Sequence, residues 1–283
     1  MDTLPDHVRA AFHVPTGEVV NLGRAWDNGW RVGNTVLMPA QQPDVASFAA
    51  KLREQLKPSH VRLARPVRAT DGRYVVSGWR ASIFEPGQLQ AGRVDETVVA
   101  ALRLADALAG EKIPSFVQSA ISKAWEEHQV FAVADRAAWS NDPEQILSLG
   151  LDGTQVASPA VESALKLAAR LLPLVPPISA PDQLSHADML ATTIYVGSQD
   201  PVVTELAPVA HPHGYTAALT MVDGLLADAV DGGIINRFGH IPDLMGLLLR
   251  ALLYRTFVHC LLKEANPEMS SRLQSVSDLI IRG

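Results

Sequence analysis

The chain has 283 residues, 47% hydrophobic and 19% charged, which is enough apolar side chain for a sizeable core and too much for a disordered tail. Its 24 basic and 30 acidic side chains leave a net charge of −6, the wrong sign for a domain whose main work is gripping nucleic-acid phosphates. Cys260 is the single cysteine, which excludes an intrachain disulfide and a paired-cysteine zinc site, and a reducing, cytoplasmic setting is expected.

The opening MDTLPDHVRAAFHV carries two aspartates before any apolar run, unlike a secretory signal, so no export is expected. Residues 19–22, 35–38, 61–64 and 74–76 are short β-branched or aromatic runs, separated by Gly23, Gly29, Gly33 and the Asp71-Gly72 turn. The stretch 74–84 reads as one strand paired with 61–68 in a hairpin. Between these strands, residues 43–56 place Val45, Phe48, Ala49 and Leu52 at helical spacing behind Pro43 and Asp44, which predicts a single helix.

From Val94 onward the pattern is helical. Residues 94–109 put Val98, Leu102, Ala105 and Leu108 on one face, and similar stripes run over 115–129, 158–173, 214–230, 242–264 and 267–281. Leu244 to Tyr254 is too short to span a bilayer and contains Arg250, so it reads as a buried helix, with no membrane partner expected. The last two helices read as core and flank, with a homodimer face as the alternative. Residues 193–196 and 201–206 are strands joined by the turn 197–200, a hairpin within the helical half. The hinge between the two textures falls at Ile83 to Gly87, which predicts a β-rich N-lobe over 1–86 and a helical C-lobe over 87–283.

A small β-rich lobe with one helix, then a helical lobe holding a hairpin, is the layout of kinase-like α+β folds. Leu184-Ser185-His186-Ala187-Asp188-Met189-Leu190-Ala191-Thr192 resembles the His-Gly-Asp-Leu-x-x-x-Asn catalytic loop of aminoglycoside phosphotransferases and choline-kinase relatives. Glu205, at the end of the segment 184–206, stands where those enzymes carry a metal-binding aspartate. Three stretches, from Gly29 to Leu37, from Val61 to Trp79 and from Ala207 to Ala218, are similar to an uncharacterised phosphotransferase-like family of actinobacteria.

What the resemblance implies can be set against the residues present. Asp188 would orient or deprotonate an attacking hydroxyl, supported by His186; otherwise Asp188 is a surface aspartate capping the turn after Ser185. The metal positions are Thr192, in place of an asparagine, and Glu205, one methylene longer than aspartate; in the alternative, Glu205 faces water from an edge strand. The phosphate-anchoring lysine is missing, because Val36-Leu37-Met38 ends in an uncharged thioether.

Glu54 is either that lysine's orphaned partner or a solvated helix residue. The loop 23–33 sits where phosphates would be covered, but its glycines are too dispersed for a Gly-x-Gly-x-x-Gly pattern. The residues expected around ATP are therefore Arg24, Trp26, Gly29, Arg31 and Met38. The arginines would supply charge and Trp26 would stack on a base; the bland readings are exposed arginines and hydrophobic packing by Trp26 and Trp30. His211 and His213 lack a nearby third ligand, and no serine-hydrolase elbow, His-Glu-x-x-His or Walker loop occurs.

Two functions fit these residues: a degenerate kinase-like protein with a binding or regulatory role, or a divergent ATP- and Mg²⁺-dependent kinase acting on a hydroxyl group. The joint loss at Met38, Thr192 and Glu205 favours the first, since groups that act together lose most of the rate when several are removed. A third reading is an interaction scaffold that binds no nucleotide. The substrate and the protein partner are not written in the sequence.

Overall fold

The computed structural model describes residues 4–118, 129–148, 159–262 and 266–282. The chain groups into two compact units, 1–117 with 183–211 and 118–182 with 212–283. The segment 184–206, expected with the helical lobe, thus groups with the N-terminal strands.

The first unit begins with α1 (Asp6–Ala11), followed by β1 (Val19–Asn21), a 3₁₀ turn at Arg24–Trp26, β2 (Trp30–Val32), β3 (Thr35–Pro39) and α2 (Pro43–Gln55). Then come β4 (Arg62–Leu63), β5 (Pro66–Val67), β6 (Val75–Val76), β7 (Trp79–Ile83) and α3 (Val94–Leu108). An antiparallel sheet runs β1-β2-β3-β7-β5, with β6 also on β7. Because successive strand residues face opposite sides, the sheet has two different coats. Val32, Leu37 and Ala81 pack with Leu4, Val8, Phe12 and Val14 around α1, while Val36 and Met38 pack with Trp26, Ala64, Ile194 and Val202 on the other side.

Two strand expectations need correction. Residues 74–84 are not one strand: Ser77 and Gly78 take positive φ (51° and 75°) and reverse the chain between β6 and β7, a two-residue turn whose twist suits a hairpin. The stretch 61–68 is also divided: Val67 pairs with Ala81, but Arg62 and Leu63 run parallel to Val202 and Val203. The face of α3 differs in detail, with Val98, Ala105 and Leu108 buried as expected, Leu104 taking the core place and Leu102 only half-buried.

The rest of this unit is β8 (Asp182–His186), a short helix at Met189–Thr192, β9 (Thr193–Ile194), β10 (Val202–Val203) and β11 (Pro208–Pro212). β9 and β10 form the expected hairpin, Thr193 opposite Val203 and Ile194 opposite Val202, and β8 pairs with β11.

The second unit is helical, with helices at Val130–Trp139, Pro159–Leu171, Tyr215–Leu226, Leu244–Leu261 and Pro267–Arg282. Residues 119–128 of the expected stripe 115–129 lie outside the described residues. The helix Leu244–Leu261 is long and apolar enough by composition to cross a membrane, yet 72% of it is buried in the fold. Arg250 within it donates to the Ala138 carbonyl at 2.8 Å, and Arg255 forms a bidentate pair with Asp223.

Candidate functional site

The site is assembled from residues of the first unit. On α2 the buried positions Ala46, Ala49, Ala50 and Arg53 follow helical spacing, so an arginine occupies the last step of the apolar stripe. Arg53 is 3% exposed. Its guanidinium donates to the Ala64 carbonyl (2.9 Å), Ser82 Oγ (3.0 Å), the Thr204 carbonyl (3.0 Å) and Glu205 Oε2 (3.3 Å). These acceptors for its two terminal nitrogens go far toward offsetting the hydration a buried guanidinium loses.

A second arginine arrives from the sheet. Arg80 on β7 stands opposite Met38 on β3, donates to the Pro39 carbonyl (2.9 Å) and Asp27 Oδ2 (3.1 Å), and brings its Nε to 2.8 Å from Glu205 Oε2. Arg53 Nε lies 3.1 Å from Glu205 Oε1, which also accepts the Leu206 N–H at 3.0 Å. Both Nε approaches are charge contacts that fall outside hydrogen-bond alignment. Burial by itself raises the Glu205 carboxyl, but Arg53 and Arg80 outweigh it and hold the group below the usual carboxylate value. Glu205 therefore does not face water from an edge strand: it lies just beyond β10, its side chain 18% exposed, between two guanidiniums.

His186, Thr192 and Asp188 form one chain of hydrogen bonds. The Ala207 N–H donates to His186 Nδ1 at 2.8 Å, which leaves the proton on Nε2, directed at Thr192 Oγ1 3.0 Å away. Thr192 in turn donates to the Asp188 carbonyl at 2.7 Å. Burial depresses the His186 pKa, chiefly by desolvation, and keeps the ring neutral, as this network requires. Asp188 is half-buried at the start of the short helix, and its carboxylate makes no capping hydrogen bond to that helix.

The loop residues meet on the chain itself. Trp26 is 4% exposed and packs 5.9 Å, centroid to centroid, from Phe84, while the Arg31 guanidinium lies 3.8 Å over the same ring. Arg31 belongs to β2, so the loop is shorter than the sequence suggests. A Cβ on Gly29 would stand 2.6 Å from Met38 Cγ and 2.7 Å from the Leu37 carbonyl oxygen; glycine here permits close approach to β3. Met38 is buried at 1%, and Arg24 is exposed in the same turn. Glu54 points elsewhere, to Arg68 (2.6 Å) and the Tyr74 hydroxyl (2.6 Å), and Arg68 above all draws its pKa down to about 2.

Sequence reasoning missed Arg53 and Arg80. The signal for Arg53 was its register with Ala46, Ala49 and Ala50, and for Arg80 its place within a short apolar strand. These residues do not fit a magnesium ion. Both Glu205 oxygens are held by cationic or N–H donors, and the Thr192 hydroxyl is spent between His186 and Asp188. A divalent cation at Glu205 would lie beside two guanidiniums. Among the described residues no group of three or more His, Cys, Asp or Glu is placed to hold a metal, His211 and His213 included.

The order and pairing of these elements give the chain a kinase-like α+β fold, the fold of aminoglycoside phosphotransferases and of choline/ethanolamine kinases. It is similar to an aminoglycoside phosphotransferase from Alicyclobacillus acidocaldarius, with a TM-score of 0.59, 13% identity, and coverage of 100% of this chain and 94% of that one. It is also similar to a choline/ethanolamine kinase family protein from Mesorhizobium loti, with a TM-score of 0.53, 13% identity and coverage of 97% and 94%. A spectinomycin phosphotransferase solved with ADP and spectinomycin gives a TM-score of 0.51, 9% identity and coverage of 98% and 96%. No family model matches the chain, and no curated protein matches it in sequence.

Proposed function

We propose that this chain is a degenerate kinase-like protein, a pseudokinase that acts by binding and not by Mg²⁺-dependent phosphoryl transfer. The observation that carries this reading is the enclosure of Glu205 by Arg53 and Arg80. Phosphoryl transfer depends on cations that neutralise the phosphates from the ligand side. Here two cations are already paired with the carboxylate that would hold the metal. Met38 supplies no further charge, and Trp26 with Arg31 is spent on Phe84.

One observation favours an active, divergent kinase instead: Asp188 is present, on a loop ordered by His186 and Thr192. ATP is the nucleotide to test, since a phosphotransferase of the same fold was solved with ADP. The cytoplasmic setting belongs to the same proposal. Cys260 is buried in the described structure and desolvation pushes its thiol up to about 12, so it acts as an apolar side chain and not as a nucleophile.

The test is calorimetric titration with ATP, with and without Mg²⁺, together with ADP release in the presence of hydroxylated metabolites. No Mg²⁺-dependent heat and no turnover above that of Asp188→Asn are expected. Turnover by the native chain that Asp188→Asn abolishes would sink the pseudokinase reading.

A further inference from the structure

The loop between β1 and β2 is dry on one side and wet on the other. Trp26 and Gly29 are buried, whereas Arg24, Asp27 and Asn28 are exposed. Its backbone is closed on itself: Leu22 N–H donates to the Gly29 carbonyl (2.8 Å), Gly29 N–H to Trp26 (2.9 Å) and Asp27 N–H to Arg24 (2.9 Å), and the Asn21 amide donates to the Asn28 carbonyl (2.9 Å). Asp27 and Asn28 both take positive φ (53° and 51°), a conformation their short polar side chains tolerate. The loop is thus braced internally by its own backbone.

What holds that unit down is separate from what holds it together. Thr204 Oγ1 shares its single proton between the Ala25 carbonyl and the Thr192 carbonyl, and Arg80 donates to Asp27. Arg80 also touches Glu205, and Thr204 precedes it, so both clasps start at the enclosed carboxylate. Between the clasps the indole fills an apolar slot lined by Met38, Ala64, Phe84, Ile194 and Val202.

We propose that residues 22–29 form a strap that keeps this slot shut, with Trp26 as its built-in occupant and the Arg80–Asp27 and Thr204–Ala25 contacts as its clasps. This deepens the pseudokinase reading by naming how the site is kept closed. The ligand class the slot would take, once the strap is released, is a planar aromatic ring of about the size of the indole.

Amide hydrogen exchange on the full chain tests the clasps. In the native protein the Asp27 and Gly29 amides should be protected, and Asp27→Asn and Thr204→Val should each speed their exchange by at least ~10-fold while Val36 to Met38 are unchanged. Asp27 is 61% exposed, so Asp27→Asn carries the test even if the buried Thr204 variant does not fold. Exchange at the rate of an open loop in the native chain, or no acceleration in Asp27→Asn, would overturn the strap.

The occupant is tested with Trp26→Gly and indole as the probe. Saturable thermal stabilisation is expected, and its absence in a folded variant would overturn the slot. The two readings fail separately. ATP turnover with a protected strap sinks the pseudokinase alone, and a mobile strap without turnover sinks the strap alone.

Discussion

Met38 and Arg80 stand opposite each other on β3 and β7, so the cation absent from one strand is present on its neighbour and directed at Glu205, 2.8 Å away. The pocket has kept its positive charge while turning it inward, with Arg53 from α2 as the second guanidinium. On the proposed reading, the ion pairs that stabilise this unit are also what keeps a metal ion from Glu205.

Replacing Glu205 with Gln leaves a fully buried Arg53 without its counter-charge and a largely buried Arg80 with only the exposed Asp27. The expected loss is about 2–4 kcal/mol in urea unfolding, toward the low end for a broken buried pair because the carboxylate is 18% exposed. Arg53→Met combined with Glu205→Gln should cost less than the sum of the two single changes, because the two residues are in contact. Additive losses would show that the pair does not couple.

Met38→Lys should not restore a phosphate site. The new ammonium would be placed at a position 1% exposed, beside Arg80 and beneath Gly29, so a loss of about 2–4 kcal/mol is expected from burying a like charge. Calorimetry should show no gain in ATP binding. A gain without loss of stability would mean that Glu205 is free to accept a new partner.

Within the candidate site two groups, His186 and Glu205, contribute to the pH dependence. His186 is depressed below 6.5 by burial, so below about pH 6.5 the unfolded chain takes up a proton that the folded chain refuses, and stability falls with pH until the folded value is passed. His259 is shifted in the same direction, so His186→Gln should reduce the slope of the urea midpoint between pH 7 and 5 without abolishing it. Glu205 acts lower: its contribution is present above about pH 4.5 and is lost as pH falls through its depressed folded value, a step that Glu205→Gln removes. An unchanged slope in His186→Gln would contradict the buried neutral ring.

Much of the architecture was written locally. Apolar periodicity marks α2, α3 and the helices Pro159–Leu171, Tyr215–Leu226, Leu244–Leu261 and Pro267–Arg282, but not Val130–Trp139, and the motif from Leu184 to Thr192 points to the kinase-like fold. The hydrogen-bonded group of His186, Asp188 and Thr192 was legible because its members lie within seven residues of one another. Local pattern was misleading where a turn hid inside an apolar run, as at Ser77-Gly78.

Tertiary structure alone decided what the candidate site does with its charges. Arg53 and Glu205 are 152 positions apart, and Arg80 reaches Asp27 across 53. No spacing rule links such residues; only the folding of α2, β7 and the 202–206 segment onto one point brings them together. Residue types state which charges are available, but burial and distance decide whether a carboxylate meets a metal ion or an arginine, because the strength of each pairing depends on what water has been removed.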